Sequence, residues 1–193
     1  MEALDALLGR RTVPPARMTG PGPDAVALER MFAAAAAAPD HGRLRPWRFL
    51  VVEGEARRAL GELFAAGLAE DRPDLDPAEL ARQREAPLRA PVLVLAVAVL
   101  DPHHPKIPEI EQIAAAAAAV QNLLVAAHAL GFAGKWATGR PAYSEGVRRR
   151  LGLGANERIL GILYLGSPAG GDLPPVDRAM PADRVVRWSG TPS

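Results

Sequence analysis

The spacing of apolar residues predicts helices and strands alternating along the chain. Leu4, Leu7 and Leu8 share one face of a helix over residues 3–9. Residues 12–23 are rich in Pro and Gly and read as a loop. Asp24 is placed to N-cap a helix that runs to residue 38 and turns Leu28, Met31, Phe32 and Ala35 inward, with Pro39 ending it. A strand over 48–52 and a helix over 55–68 follow. A polar loop at 71–77 then leads to a short helix over 78–84. Residues 92–100 are almost wholly apolar between Pro91 and Pro102, the mark of a strand buried on both faces.

The second half repeats the alternation. Residues 110–130 predict the longest helix, roughly 30 Å at about 1.5 Å per residue, with Gly131 at its C-terminus. Gln121, Asn122 and His128 interrupt it, so it reads as a buried helix and not a membrane span. Its alanines at 114–119 form a flat surface suited to close packing in a core or across a dimer interface, or simply reflect high helix propensity. Residues 132–138 predict a strand, Ser144 caps a helix to residue 151, and 158–165 is the last strand. From residue 167 the chain is too rich in Pro and Gly to build a core, and it either frays or wraps a partner subunit. The pattern predicts a single domain over residues 1–193, an α/β or α+β sandwich.

Composition narrows this only a little. A chain of 193 residues, 49% hydrophobic, can bury a sizeable core. The net charge of +1 gives no reason to expect nucleic acid or a membrane surface as partner. The absence of cysteine excludes disulfides, thiolate nucleophiles and cysteine metal sites. No basic stretch followed by an apolar one opens the chain, so a cytoplasmic location is the default expectation.

Four segments carry chemistry. In Arg10-Arg11-Thr12, two guanidinium groups and a hydroxyl can hold a phosphate, or the arginines can complement a helix C-terminus. In the turn after Pro39, His41, Arg43, Arg45 and Trp47 can hold an anionic, planar ligand, although His41 alone could be an exposed loop histidine. Gly134-Lys135-Trp136-Ala137-Thr138-Gly139 lets backbone approach a flat ring closely. His103, His104, Glu109 and Glu111 look like metal ligands, but adjacent histidines in a proline-bounded loop rarely converge on one ion, and no metal is expected. Lys106 in that loop reads by itself as a solvated lysine, and His128 as a core or interface histidine. Arg184 and Arg187 are further candidates for a phosphate contact. No Gly-x-Gly-x-x-Gly follows a strand and there is no Walker A sequence, so neither familiar nucleotide cradle is present.

Taken in order, Arg10-Arg11-Thr12, Pro39-Asp40-His41 through Pro46-Trp47, His104-Pro105-Lys106 with Glu111-Gln112, the glycine-rich segment around Trp136 and Leu163-Tyr164-Leu165-Gly166 resemble the nitroreductase family of FMN-dependent oxidoreductases. The likeness is to its small Pro-Asp-His branch. The resemblance implies an α+β three-layer sandwich, with a mostly antiparallel sheet between helices, in an intertwined homodimer with FMN at the interface. It implies that Arg10, Arg11 and Thr12 hold the FMN phosphate and ribityl chain, and that Trp136, Ala137 and Thr138 line the flavin. His41 would reach the FMN of the other subunit, and Lys106 would lie near the flavin and the pyridine nucleotide. NAD(P)H would supply hydride and a nitroaromatic, quinone or similar compound would accept it. The acceptor pocket would be built by residues 70–83. The flavin would carry the chemistry, with no catalytic side chain. Arg43 and Arg45 stand where the family has Asn and Gln, which leaves a non-catalytic flavin store or sensor as the alternative.

Overall fold

The computed structural model describes residues 2–171 and 178–190. Its strands are β1 (Met18–Thr19), β2 (Trp47–Glu53), β3 (Val92–Val99), β4 (Ala133–Ala137) and β5 (Glu157–Pro168). They form one antiparallel sheet in the order β1-β5-β3-β2, with β4 also paired to β5. The helices are α1 (Ala3–Gly9), α2 (Ala25–Ala36), α3 (Ala56–Asp71), α4 (Pro77–Glu85), α5 (Glu109–Ala129) and α6 (Glu145–Arg150). The fold is therefore α+β.

β3 shows why there are three layers. Its side chains alternate between two cores. Val92, Val94 and Ala96 pack with Leu28, Met31 and Ala35 of α2 and with Val120, Leu123 and Leu124 of α5. Leu93, Leu95 and Val97 pack with Leu60, Phe64 and Leu68 of α3 and with Val147 of α6. The unbroken apolar run expected of a strand covered on both faces is thus accounted for, here in an antiparallel sheet.

The predicted caps form. The Asp24 carboxylate accepts the Ala27 N–H at 2.8 Å, and the Ser144 hydroxyl accepts the Val147 N–H at 3.1 Å. Helix α3 runs on to Asp71, past the expected end at 68, and the Asp71 carboxylate then accepts from Ser144 Oγ at 2.6 Å and Gly146 N at 2.8 Å. One expectation from periodicity is inverted in α1. Only Ala6 is buried there, while Leu4, Leu7 and Leu8 lie exposed. The Pro/Gly loop also hides the two-residue strand β1, paired with Ser167 and Pro168. Helix α5 is long and apolar enough to cross a membrane, but Ala116, Ala119, Val120, Leu123 and Ala127 are fully enclosed in the domain. The tail expected to fray or wrap a partner lies partly outside the described residues.

Candidate functional site

The Arg-Arg-Thr segment lies along β4. Thr12 pairs in parallel with Gly134, and Val13 N donates to the Gly134 carbonyl at 3.0 Å. A Cβ on Gly134 would stand 3.0 Å from Leu124 Cδ2, so a larger residue would press on α5. A small hollow opens here, lined by Arg10, Arg11, Val13, Leu124, His128, Phe132, Ala133 and Gly134. Among the described residues its charged lining is cationic. Arg178 adds a further cation, its Nη1 donating to the Leu8 carbonyl at 3.0 Å. Burial, and then Arg178, pull the Arg10 guanidinium below its ordinary value. Burial, followed by Arg10 and Arg178, holds His128 below its own, favouring the neutral ring. Guanidinium groups gathered in one hollow suit a phosphate or similar anion.

Strand alternation splits the glycine-rich segment. The Trp136 indole lies in the α2/α5 core, where Nε1 donates to the Leu160 carbonyl at 2.9 Å. Lys135 and Ala137, with Thr138 and Gly139, instead line a cavity of about 210 Å³ on the other side of the strand. Gln83, Arg89, Tyr164 and Phe64 complete much of its wall. Burial raises the Tyr164 phenol above its ordinary value and the neighbouring Arg89 opposes that shift, so this hydroxyl stays protonated at neutral pH. Of the segment expected to build the acceptor pocket, Gln83 reaches this cavity.

His41 sits in an unusual turn. Gly42 has φ 71°, as glycine readily does, but Arg43 (φ 55°) and Arg45 (φ 49°) also occupy the left-handed region. Such residues cost about 1–3 kcal/mol each and persist only where surrounding contacts impose them. The Asp40 carboxylate accepts the Arg45 N–H at 2.6 Å, and Ile107 packs where a Cβ on Gly42 would stand. His41 Nδ1 is 2.6 Å from Glu111 Oε2 in the first turn of α5. Lys106 is exposed in the loop that carries Ile107. Gln112, buried, staples that loop: its amide donates to the carbonyls of Asp101 and Ile107, and its oxygen accepts from Asp101 N. His104 Nδ1 accepts the Lys106 and Ile107 N–H groups, so it braces the loop. Among the described residues no three His, Asp or Glu side chains gather as a metal site.

Two groups of the predicted residues thus lie at opposite ends of α5. Arg10, Arg11 and Thr12 lie at the His128 end, next to β4, while His41 and Lys106 lie at the Glu111 end. His128 follows Glu111 by seventeen positions along the helix, about 25 Å, so within one chain the groups do not meet. Sequence reading missed Arg178 and Arg89, and it named Glu111 and Tyr164 only within motifs, without these partners; all four reach their places only through long-range packing. Arg184, by contrast, pairs with its neighbour Asp183 at 3.5 Å.

Comparison with known proteins agrees with this architecture. The model of the Nitroreductase family matches residues 9–167. A relative from Escherichia coli K12, named "Putative NAD(P)H nitroreductase YdjA", is 37% identical over 168 residues, covering 87% of this chain and 89% of that protein. The crystal structure of a nitroreductase-like family protein from Bacillus cereus superposes with a TM-score of 0.82 at 22% identity, covering 98% of this chain and 97% of the other. That of "a putative nitroreductase in complex with fmn" from Desulfovibrio desulfuricans gives a TM-score of 0.71 at 24% identity, covering 100% and 99%. The order of strands, the Arg-Arg-Thr segment on the edge strand and the match over most of the sequence lead to one conclusion: this chain belongs to the nitroreductase family.

Proposed function

We propose that this protein is an FMN-dependent oxidoreductase that takes hydride from NAD(P)H and passes it to a nitroaromatic, quinone or similar small acceptor. The observation that carries this reading is the hollow of Arg10, Arg11 and His128 beside Gly134, whose donors fit the phosphate of FMN. The nitroreductase name of the 37% identical relative supports the activity, and the FMN complex of the structural neighbour supports the cofactor. FMN, when bound, supplies the hydride-accepting and hydride-donating chemistry. Arg10 and Arg11 bind its phosphate, and the Thr12 hydroxyl binds the phosphate or ribityl chain. Ala137 and Thr138 lie along the ring, while Trp136 supports their strand from behind. Lys135 and Arg89 offer positive charge at the cavity wall, where an electron-rich reduced ring gains from it. Lys106 serves the flavin and pyridine nucleotide. No side chain acts as obligatory acid or base. The chain works as one domain, and a cytoplasmic location fits the supply of NAD(P)H.

The functional unit is a homodimer. Ile110, Ala114, Gln121 and Ala129 lie exposed on α5, with Ala117, Ala118 and Val125 half-buried between them. This is a largely apolar stripe of small side chains along one face. A two-fold axis across it would set two α5 helices antiparallel. The His41 end of one protomer would then adjoin the Arg10 end of the other, closing the gap of about 25 Å that a single chain leaves.

An anaerobic visible spectrum of the FMN-loaded protein, before and after NADPH and then NADH, tests the reading. Bleaching of the flavin band by either nucleotide is expected, and the faster one identifies the donor. Bound flavin that neither reduces would favour the store or sensor, and no flavin binding would overturn both.

A further inference from the structure

We propose that Glu111 is a positioning residue that sets the tautomer and direction of the His41 imidazole for its contact with the flavin of the partner subunit. The inference rests on the reading that His41 meets that flavin, and extends it to a residue with no assigned role. His41 Nδ1 lies 2.6 Å from Glu111 Oε2. A carboxylate is an acceptor only, so Nδ1 carries the hydrogen and Nε2 is the nitrogen presented outward. The pairing joins residues 70 positions apart, the His turn to the first turn of α5. Both side chains are about half exposed, 61% and 46%, and exposed pairs contribute little to stability. The turn nevertheless adopts three consecutive constraints to hold this arrangement: left-handed backbone at Gly42, Arg43 and Arg45, the Asp40 carboxylate on Arg45 N, and Ile107 against Gly42. Backbone strain at Arg43 and Arg45 beside a weakly stabilising exposed pair fits a geometry kept for a ligand. The arrangement matches the second-residue orientation of imidazole seen wherever one ring nitrogen is fixed so that the other can act.

The test is a thermodynamic cycle on FMN affinity, read by quenching of flavin fluorescence on binding to the dimeric protein. Four proteins are compared: wild type, Glu111→Gln, His41→Ala and the double variant. Glu111→Gln is expected to weaken FMN about tenfold, His41→Ala at least as much, and the double variant no more than His41→Ala alone. Nitrogen NMR of labelled histidine in the holoprotein should show His41 as the Nδ1–H form in wild type, and a mixture of tautomers in Glu111→Gln. A loss on Glu111→Gln that persists in the His41→Ala background would overturn the positioning role. So would an unchanged tautomer. Unaltered FMN affinity in His41→Ala would instead remove the flavin contact of His41 itself. In that case Arg11→Ala, which probes the phosphate site, still reports on FMN binding independently.

Discussion

The Trp136 indole rests on Gly161. A Cβ at Gly161 would stand 2.0 Å from Trp136 Nε1, and that nitrogen donates to the carbonyl of the adjacent Leu160. The edge strand that carries Ala137 and Thr138 is thereby pinned to β5. Gly161→Ala should cost about 1–3 kcal/mol through overpacking, and Trp136→Phe about 1 kcal/mol through the lost hydrogen bond. Urea denaturation checks both. If Gly161→Ala is neutral, the indole does not hold the strand as described.

Arg11 lines the cationic hollow beside Gly134. As a phosphate contact, Arg11→Ala should weaken FMN binding by about 1.5–3 kcal/mol, the scale of a charged hydrogen bond. Flavin titration of the apoprotein decides it. Unchanged affinity would remove Arg11 from the site.

His128 lies against Gly9, with Arg10 and Arg178 nearby. Its value in the folded protein lies below the ordinary 6.5, so the unfolded chain binds the proton more readily. Stability is unaffected above pH 6.5 and falls as the pH drops from there toward the depressed value. In the protein without flavin, His128→Gln should therefore shrink the difference in Tm between pH 7.5 and pH 5.5. An identical difference in the variant would contradict the linkage.

Asp71 shows the opposite sign. The Ser144 hydroxyl, then Gly146 N–H and Arg149, hold its carboxyl below the ordinary 3.8. Its contribution is present above that value and is lost as the pH falls through the depressed one. Asp71→Asn should destabilise the protein by about 1–3 kcal/mol at pH 7, because the Ser144 and Gly146 donors lose their charged acceptor. The difference between variant and wild type should narrow in acid. A constant offset from pH 7 to pH 2 would be evidence against this.

Leu4, Leu7 and Leu8 are exposed on a seven-residue helix, an arrangement that calls for a partner surface. A Leu4→Asp, Leu8→Asp variant should shift toward monomer in sedimentation velocity and bind FMN more weakly. A wild-type protein that sediments as a monomer while holding FMN would overturn the dimeric site.

Much of the fold was legible along the chain. The apolar run of β3, the Asp24 and Ser144 caps and the length of α5 are local features, set by side-chain period and by hydrogen bonds within a few residues. The cationic character of the Arg-Arg-Thr segment was legible too, because it follows from residue types alone. Less accessible were the exposed leucines of α1. A helical stripe reveals which side chains share a face, but not whether that face meets its own core or another chain.

The sequence by itself determined the helices, all the strands but β1, the two-faced central strand and the cationic character of the Arg10 segment, because these depend on neighbours close in the chain. Only the tertiary structure decided that Trp136 faces the core while Lys135 and Ala137 face the cavity, that Arg89, Tyr164 and Arg178 join the sites, and that His41 pairs with Glu111 at the far end of α5 from Arg10. Strand register and helix docking fix those relationships. They are settled by the packing of residues up to 170 positions apart, which no local period encodes.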